Sequence, residues 1–225
     1  MPRICYKNLI FAQFFQEQPL MNIAILVYED VGLLDLAGPG EVFDGSKYFL
    51  TNDFNIYTVA ESRDESVMSQ DFLNIYPNYT FDASPVPDAL IIPGAYPANL
   101  PLDEPGIIEW IKTAMPQARV TLAVCTGIGL LARAGLLDDK TVTTHHLYLD
   151  NLEKTVAEAG TETRIVRGFR FVEDGQLIST AGVSAGIDGA LQAVTKLKKD
   201  ASAAHKTADY MEYDWDPSKG LVVQR

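Results

Sequence analysis

Apolar stretches of strand length recur along this chain, most of them followed by residues spaced as a helix, and that alternation limits the fold more than any other feature. The runs NIAILVY (residues 22–28), DALIIPG (88–94) and RVTLAVC (119–125) are apolar almost throughout. A strand with one wet face alternates polar and apolar residues, whereas one buried on both faces reads as a continuous apolar run, as in a parallel sheet. Helical patterns follow at 103–116, 126–137, 147–160, 184–199 and 201–213. FNIYTVAE (54–61) alternates as a strand, 66–81 holds one or two short edge strands, and TVTTHH (141–146) is a short strand. Residues 163–180 read as strands about an Asp-Gly hairpin turn. GLLDLAGPGEVFD (32–44) has helical spacing broken by Gly38, Pro39 and Gly40, which predicts a bend where that helix starts. Together these predict an α/β fold, a doubly wound and mostly parallel sheet with helices on both faces.

The net charge of −12 argues against a nucleic-acid partner, which calls for a basic face. The one dense basic cluster, KLKK at 196–199, falls where a helix ends and meets the negative end of its dipole. No apolar run reaches the roughly 18 residues that read as a membrane span. Cys5 and Cys125 are too few for a disulfide framework. The first 20 residues lack a small-residue cleavage site, and Met21 heads the first buried run as a fresh start would. The expectation is an optional or non-native extension over 1–20 and a single domain over 21–225, placed in the cytoplasm.

In such sheets ligands bind beyond the carboxyl ends of the strands. That rule puts the turn after Tyr28, the turn after Ile92 and Cys125 on one rim. Cys125 stands between a strand and a helix, with small residues two before and two after it, Ala123 and Gly127. A strand–nucleophile–helix elbow needs that spacing. The helix starting near Thr126 would turn its positive end to the sulfur and favour thiolate. The competing reading is that Cys125 fills the core, as free cysteines commonly do. Asp35 is an acid among Leu33, Leu34 and Leu36, which suits either a proton shuttle or a helix cap. His145 could face a thiolate or simply pack. The adjacent His145 and His146 lack the companion spacing of a metal site.

Four segments, VYEDVGLLDLAGPGEVF, IIPGAYPANL, AVCTGIGLLARAGLLDDKTVTTHH and STAGVSAGIDGALQAV, resemble in order and spacing the ThiJ/PfpI superfamily. The resemblance runs from about Met21 to MEYDWDP and implies a class I glutamine amidotransferase-like, flavodoxin-like fold. Aspartate in D-L-x-G-P and the C-T-G elbow are similar to the isonitrile (isocyanide) hydratase branch, whereas many other relatives in the superfamily, including glyoxalase and chaperone-like members, place a glutamate on the loop after the first strand. The resemblance implies three catalytic residues: Cys125 as nucleophile, Asp35 as the acid facing it, and Thr126, directly after the cysteine, as a helper in moving Asp35's proton. His145 corresponds to the family histidine near the sulfur, and Gly94 with Ala95 to a pair of glycines whose amides help form an anion pocket. Ala95 is a departure, because alanine resists positive φ. The implied chemistry is cofactor-free hydration of an isocyanide to an N-substituted formamide. It would take place in an apolar cleft walled by Tyr96 or residues near Val183, in a protein whose relatives are commonly homodimers. Two rivals keep the same cysteine: a glyoxalase or deglycase acting on small dicarbonyls, and a non-enzymatic redox sensor with a low thiol pKa.

Overall fold

The computed structural model describes residues 20–49, 53–63 and 67–224, so the expected extension over 1–20 lies almost wholly outside the described residues. The chain runs β1 (Met21–Leu26), α1 (Leu33–Phe49), β2 (Phe54–Ala60), β3 (Val67–Ser69), β4 (Leu73–Ile75), β5 (Tyr79–Thr80), β6 (Ala89–Ile92), α2 (Pro105–Ala114) and β7 (Val120–Ala123). It continues through α3 (Ile128–Arg133), β8 (Lys140–Val142), α4 (Leu149–Ala159), β9 (Thr163–Ile165), β10 (Phe171–Asp174), β11 (Leu177–Thr180), α5 (Ala185–Lys198), α6 (Ala201–Tyr210) and β12 (Gly220–Val222).

The central sheet has eight strands in the order β12-β10-β11-β7-β6-β1-β2-β5. All neighbours are parallel except β10 and β11, which form an antiparallel hairpin whose two-residue turn is Gly175-Gln176, one residue beyond the expected Asp-Gly turn. The apolar runs explain why the sheet is covered twice. Ile23, Ile25, Ile91, Val120 and Leu122 point into a core under α1, α5 and α6. Ala24, Leu26, Leu90, Ile92 and Ala123 point into the opposite core under α2, α3 and α4. No helix among the described residues is long and apolar enough to cross a membrane.

Three local expectations are corrected. Helix α1 is continuous through Gly38-Pro39-Gly40. Pro39 removes one internal hydrogen bond, to the Asp35 carbonyl, but Gly38 here serves close packing against α5. A side chain at Gly38 would meet Ile187 Cγ1 at 3.1 Å, and Gly186 lies against Val124 and Pro39. Secondly, the helix expected over 126–137 is a 3-10 turn at Cys125–Gly127 followed by the short α3, stopped by Gly135 at φ +72°. Thirdly, β8 pairs with β9 in a separate two-stranded sheet, so the histidines that follow it lie on a turn above the main sheet.

Strand β1 continues to β2 on one side, and the chain then crosses to β6 and β7 on the other. That reversal is the topological switch point, where a crevice opens beyond the strand ends.

Candidate active site

Each side chain of the crevice is carried there by a separate element. After β1, Val31 forms an antiparallel bridge with Ala95, and the Gly32 amide donates to the Gly94 carbonyl at 2.7 Å. This clip sets the first turn of α1 against the end of β6, so that the Gly94 amide donates to Asp35 Oδ2 at 3.0 Å. The β3–β4 hairpin leans on the same turn: the Ser69 hydroxyl donates to the Val31 carbonyl at 2.6 Å, and Gln70 Oε1 accepts the Leu33 amide at 3.4 Å. Asp35 thus lies inside α1, bonded across to β6, and does not act as its cap.

Cys125 adopts φ +58° as the first residue of the 3-10 turn that follows β7. A non-glycine residue there costs of order 1–3 kcal/mol and persists only where neighbours impose it. Here the Thr144 hydroxyl donates to the Cys125 carbonyl at 2.7 Å, and the Gly127 amide donates to the Val124 carbonyl at 2.9 Å. Gly127 is required by proximity. A Cβ on it would stand 2.7 Å from the Pro93 carbonyl oxygen and nearer still to that of Ile92. The small residue two after the nucleophile therefore makes room for the β6 backbone.

Cys125 is 7% exposed and lines a cavity of about 360 Å³ together with Asp35, Thr126 and His145. Leu34, Tyr96, Leu147 and Val183 ring its mouth and are all exposed, Leu147 by 74%. The expected walls, Tyr96 and Val183, are both there. A larger hollow of about 470 Å³ on the neighbouring rim carries Glu29, Asp30, Glu61 and Glu104 but no cysteine or histidine. Glu29 accepts the Met68 amide there, and Asp30 accepts from Asn99.

The surroundings of Cys125 do not favour the thiolate expected of it. Burial and the negative Asp35 push its pKa up to about 12, and the amides of Thr126 and Val183, both donating to the sulfur, only partly oppose them. A short helix entered by a 3-10 turn cannot outweigh desolvation and an adjacent carboxylate. The resting thiol is neutral. Burial also raises Asp35 to about 6, against the pull of the Gly94 amide and of the thiol itself, which lies within hydrogen-bonding reach. The pair therefore holds one proton between a sulfur that keeps it and a carboxylate ready to take it. Tyr28, buried beneath them with its hydroxyl donating to the Pro93 carbonyl at 2.8 Å, is raised by burial and by both of these neighbours.

The supporting role of Gly94 and Ala95 and the catalytic role of Thr126 meet a different geometry from the one expected. Gly94 and Ala95 do not offer free amides to an anion, since Gly94 N–H is bonded to Asp35 and Ala95 N–H to Thr126 Oγ1 at 2.9 Å. Ala95 is not among the residues at positive φ, so its side chain is accommodated without strain. The Thr126 hydroxyl gives its proton to the Ala95 carbonyl at 2.8 Å, and so works as a brace between β6 and the elbow rather than as a free proton relay. His145 lines the cavity, its Nδ1 accepting the Leu147 amide at 3.2 Å; burial and His146 lower its pKa, so it faces the cavity as a neutral ring.

Val183 N–H is the donor that sequence reasoning missed. Val183 has φ +51°, unusual for a β-branched residue. A backbone amide leaves no mark in the sequence, and valine does not advertise a left-handed turn. The only available signal was the glycine before it: a side chain on Gly182 would collide with the His145 ring.

The match with known proteins follows this geometry. The DJ-1/PfpI family model covers residues 21–196. The chain is 32% identical over 177 residues to an isonitrile hydratase of Pseudomonas putida, spanning 79% of this chain and 72% of that one. A ThiJ/PfpI family protein from Pseudomonas syringae superposes with a TM-score of 0.74 at 28% identity, covering 95% of this chain and 84% of that one. Drosophila melanogaster DJ-1beta shares the fold alone, with a TM-score of 0.73 at 14% identity over 87% of this chain and all of its own. An eight-stranded doubly wound sheet, an elbow cysteine at positive φ and a family match over most of the chain lead to one conclusion: this protein belongs to the DJ-1/PfpI family.

Proposed function

We propose that this protein is a cofactor-independent hydratase that adds water to isocyanides, releasing N-substituted formamides. The observation that carries this reading is the facing pair of a neutral Cys125 thiol and an Asp35 carboxyl near pKa 6, lining a cavity ringed by exposed apolar side chains. The similarity to the Pseudomonas putida isonitrile hydratase supports it.

An isocyanide carbon accepts both a nucleophile and a proton, and the pair supplies both from one hydrogen. Asp35 takes the thiol proton as sulfur attacks the terminal carbon, and the same carboxylic acid protonates that carbon, leaving a thioimidate, Cys–S–CH=N–R. Water then adds to this carbon and gives one proton to Asp35, which passes it to the imine nitrogen. The remaining hydroxyl proton moves through Asp35 to the sulfur as the C–S bond breaks and the C=O bond forms, and HC(=O)–NH–R departs with the thiol restored. An acid of pKa near 6 suits both directions of this transfer, because the best shuttle has a pKa close to the working pH. The Thr126 and Val183 amides hold the sulfur as its charge develops.

The redox-sensor reading required a thiol of low pKa, which the burial of Cys125 does not favour. The test is to supply the purified protein with para-nitrophenyl isocyanide and, separately, with methylglyoxal. Formamide appears catalytically in the first if the reading holds; turnover of methylglyoxal alone overturns it in favour of dicarbonyl chemistry.

A further inference from the structure

The Val183 amide reaches the sulfur only because the 181–184 turn is held in an unfavourable shape, and the residue that holds it stands outside the cavity. Arg170 brackets the turn. Its carbonyl accepts the Ala181 amide at 2.9 Å on the near side, and its Nη2 donates to Ser184 Oγ at 3.2 Å on the far side. Arg170 is itself anchored at both ends. Its amide donates to the Lys219 carbonyl at 2.9 Å, and its guanidinium meets Asp188 Oδ2 at 2.7 Å through Nε and 2.6 Å through Nη2. Tyr213 closes the group, its hydroxyl donating to Asp188 Oδ2 at 2.9 Å and lying 3.4 Å from Arg170 Nη2. The Asp188 carboxylate, in the first turn of α5, is only 3% exposed. A buried charge of this kind must keep its partner.

We propose that Arg170, fixed by Asp188 and Tyr213, is a positioning residue for Cys125: it clamps the 181–184 turn from both sides and so keeps the Val183 N–H on the sulfur. A cluster that merely anchored α5 would leave the thiol's reactivity untouched. The other groups facing the sulfur are Asp35 from α1, Tyr28 after β1, the Thr126 amide and the neutral His145 ring, and none of them touches Arg170.

The experiment measures iodoacetamide alkylation of Cys125 in the folded full chain across pH, read on the Cys125 peptide by mass spectrometry so that Cys5 does not contribute. Below its pKa a thiol reacts in proportion to its thiolate fraction, so each unit of pKa shows as about a tenfold rate change at fixed pH. Arg170→Met loses the fork and moves the profile to higher pH, slowing alkylation about tenfold at pH 8. Arg170→Lys keeps a charge without the fork and falls between. Tyr213→Phe deletes one hydroxyl, folds even where Arg170→Met does not, and slows the reaction about two- to threefold. Profiles of folded variants that superimpose on the parent overturn the proposal. Alkylation needs no isocyanide, so a parent protein that fails to hydrate isocyanides yet shows these shifts would reject the hydratase reading alone.

Discussion

Thr126 and Ala95 grip each other through a single oxygen: the threonine hydroxyl accepts the alanine amide at 2.9 Å and donates to its carbonyl at 2.8 Å. Ala95 thereby fills the place of a family glycine while its backbone stays outside the left-handed region. Ala95→Gly should leave turnover within about twofold and lower stability by about 0.4–1 kcal/mol, through added freedom of the unfolded chain. Chemical denaturation beside a kinetic assay measures both. A large gain in rate would show that the alanine distorts the site.

Asp35 both drives the proposed reaction and suppresses the free reactivity of the thiol. Asp35→Asn should cut isocyanide turnover by about 10²–10⁴, the usual contribution of a general acid–base group. The same change removes the charge that helps raise Cys125, so alkylation of the thiol at pH 8 should become faster. Opposite signs for the two readouts are the expected result.

The raised carboxyl also makes stability depend on pH. Folding lifts Asp35 from 3.8 to about 6, so the folded state binds its proton more tightly than the unfolded state does. The folded state is therefore favoured below pH 4, and that advantage is lost as pH rises through 6. Two units correspond to about 3 kcal/mol. Asp35→Asn should stabilise the protein by about that order at pH 8, with the gain shrinking toward nothing near pH 4, as read from urea unfolding at the two pH values.

Gly127→Ala would press a methyl group against two carbonyl oxygens of the β6 end. Overpacking of this kind costs about 1–3 kcal/mol, and more where backbone is the obstacle. Thermal unfolding should register the loss, and the elbow should lose its activity with it.

The readable and unreadable parts of this molecule divide along a physical line. Residues 22–28 announced a buried strand because both faces are apolar, and Gly127 announced the elbow because the β6 backbone leaves no room there for a side chain. Asp35 stood out as a carboxyl where leucines surround it. The resting state of Cys125 could not be read, because it depends on burial and on a neighbour 90 residues away in the chain. Gly38 misled for a related reason: glycine marks both a break and a close contact, and only the position of α5 decides between them. The Val183 amide was silent, since every residue but proline carries one.

Helices α1 and α5 touch where Gly38 meets Ile187 and where Pro39 meets Gly186, so Asp35 and the turn bearing Val183 are surveyed from one shared benchmark. Neither helix can slide without carrying its half of the chemistry along. Divergence toward other electrophiles would therefore proceed through Leu34, Tyr96 and Leu147 at the cavity mouth, where side chains can change without altering that spacing.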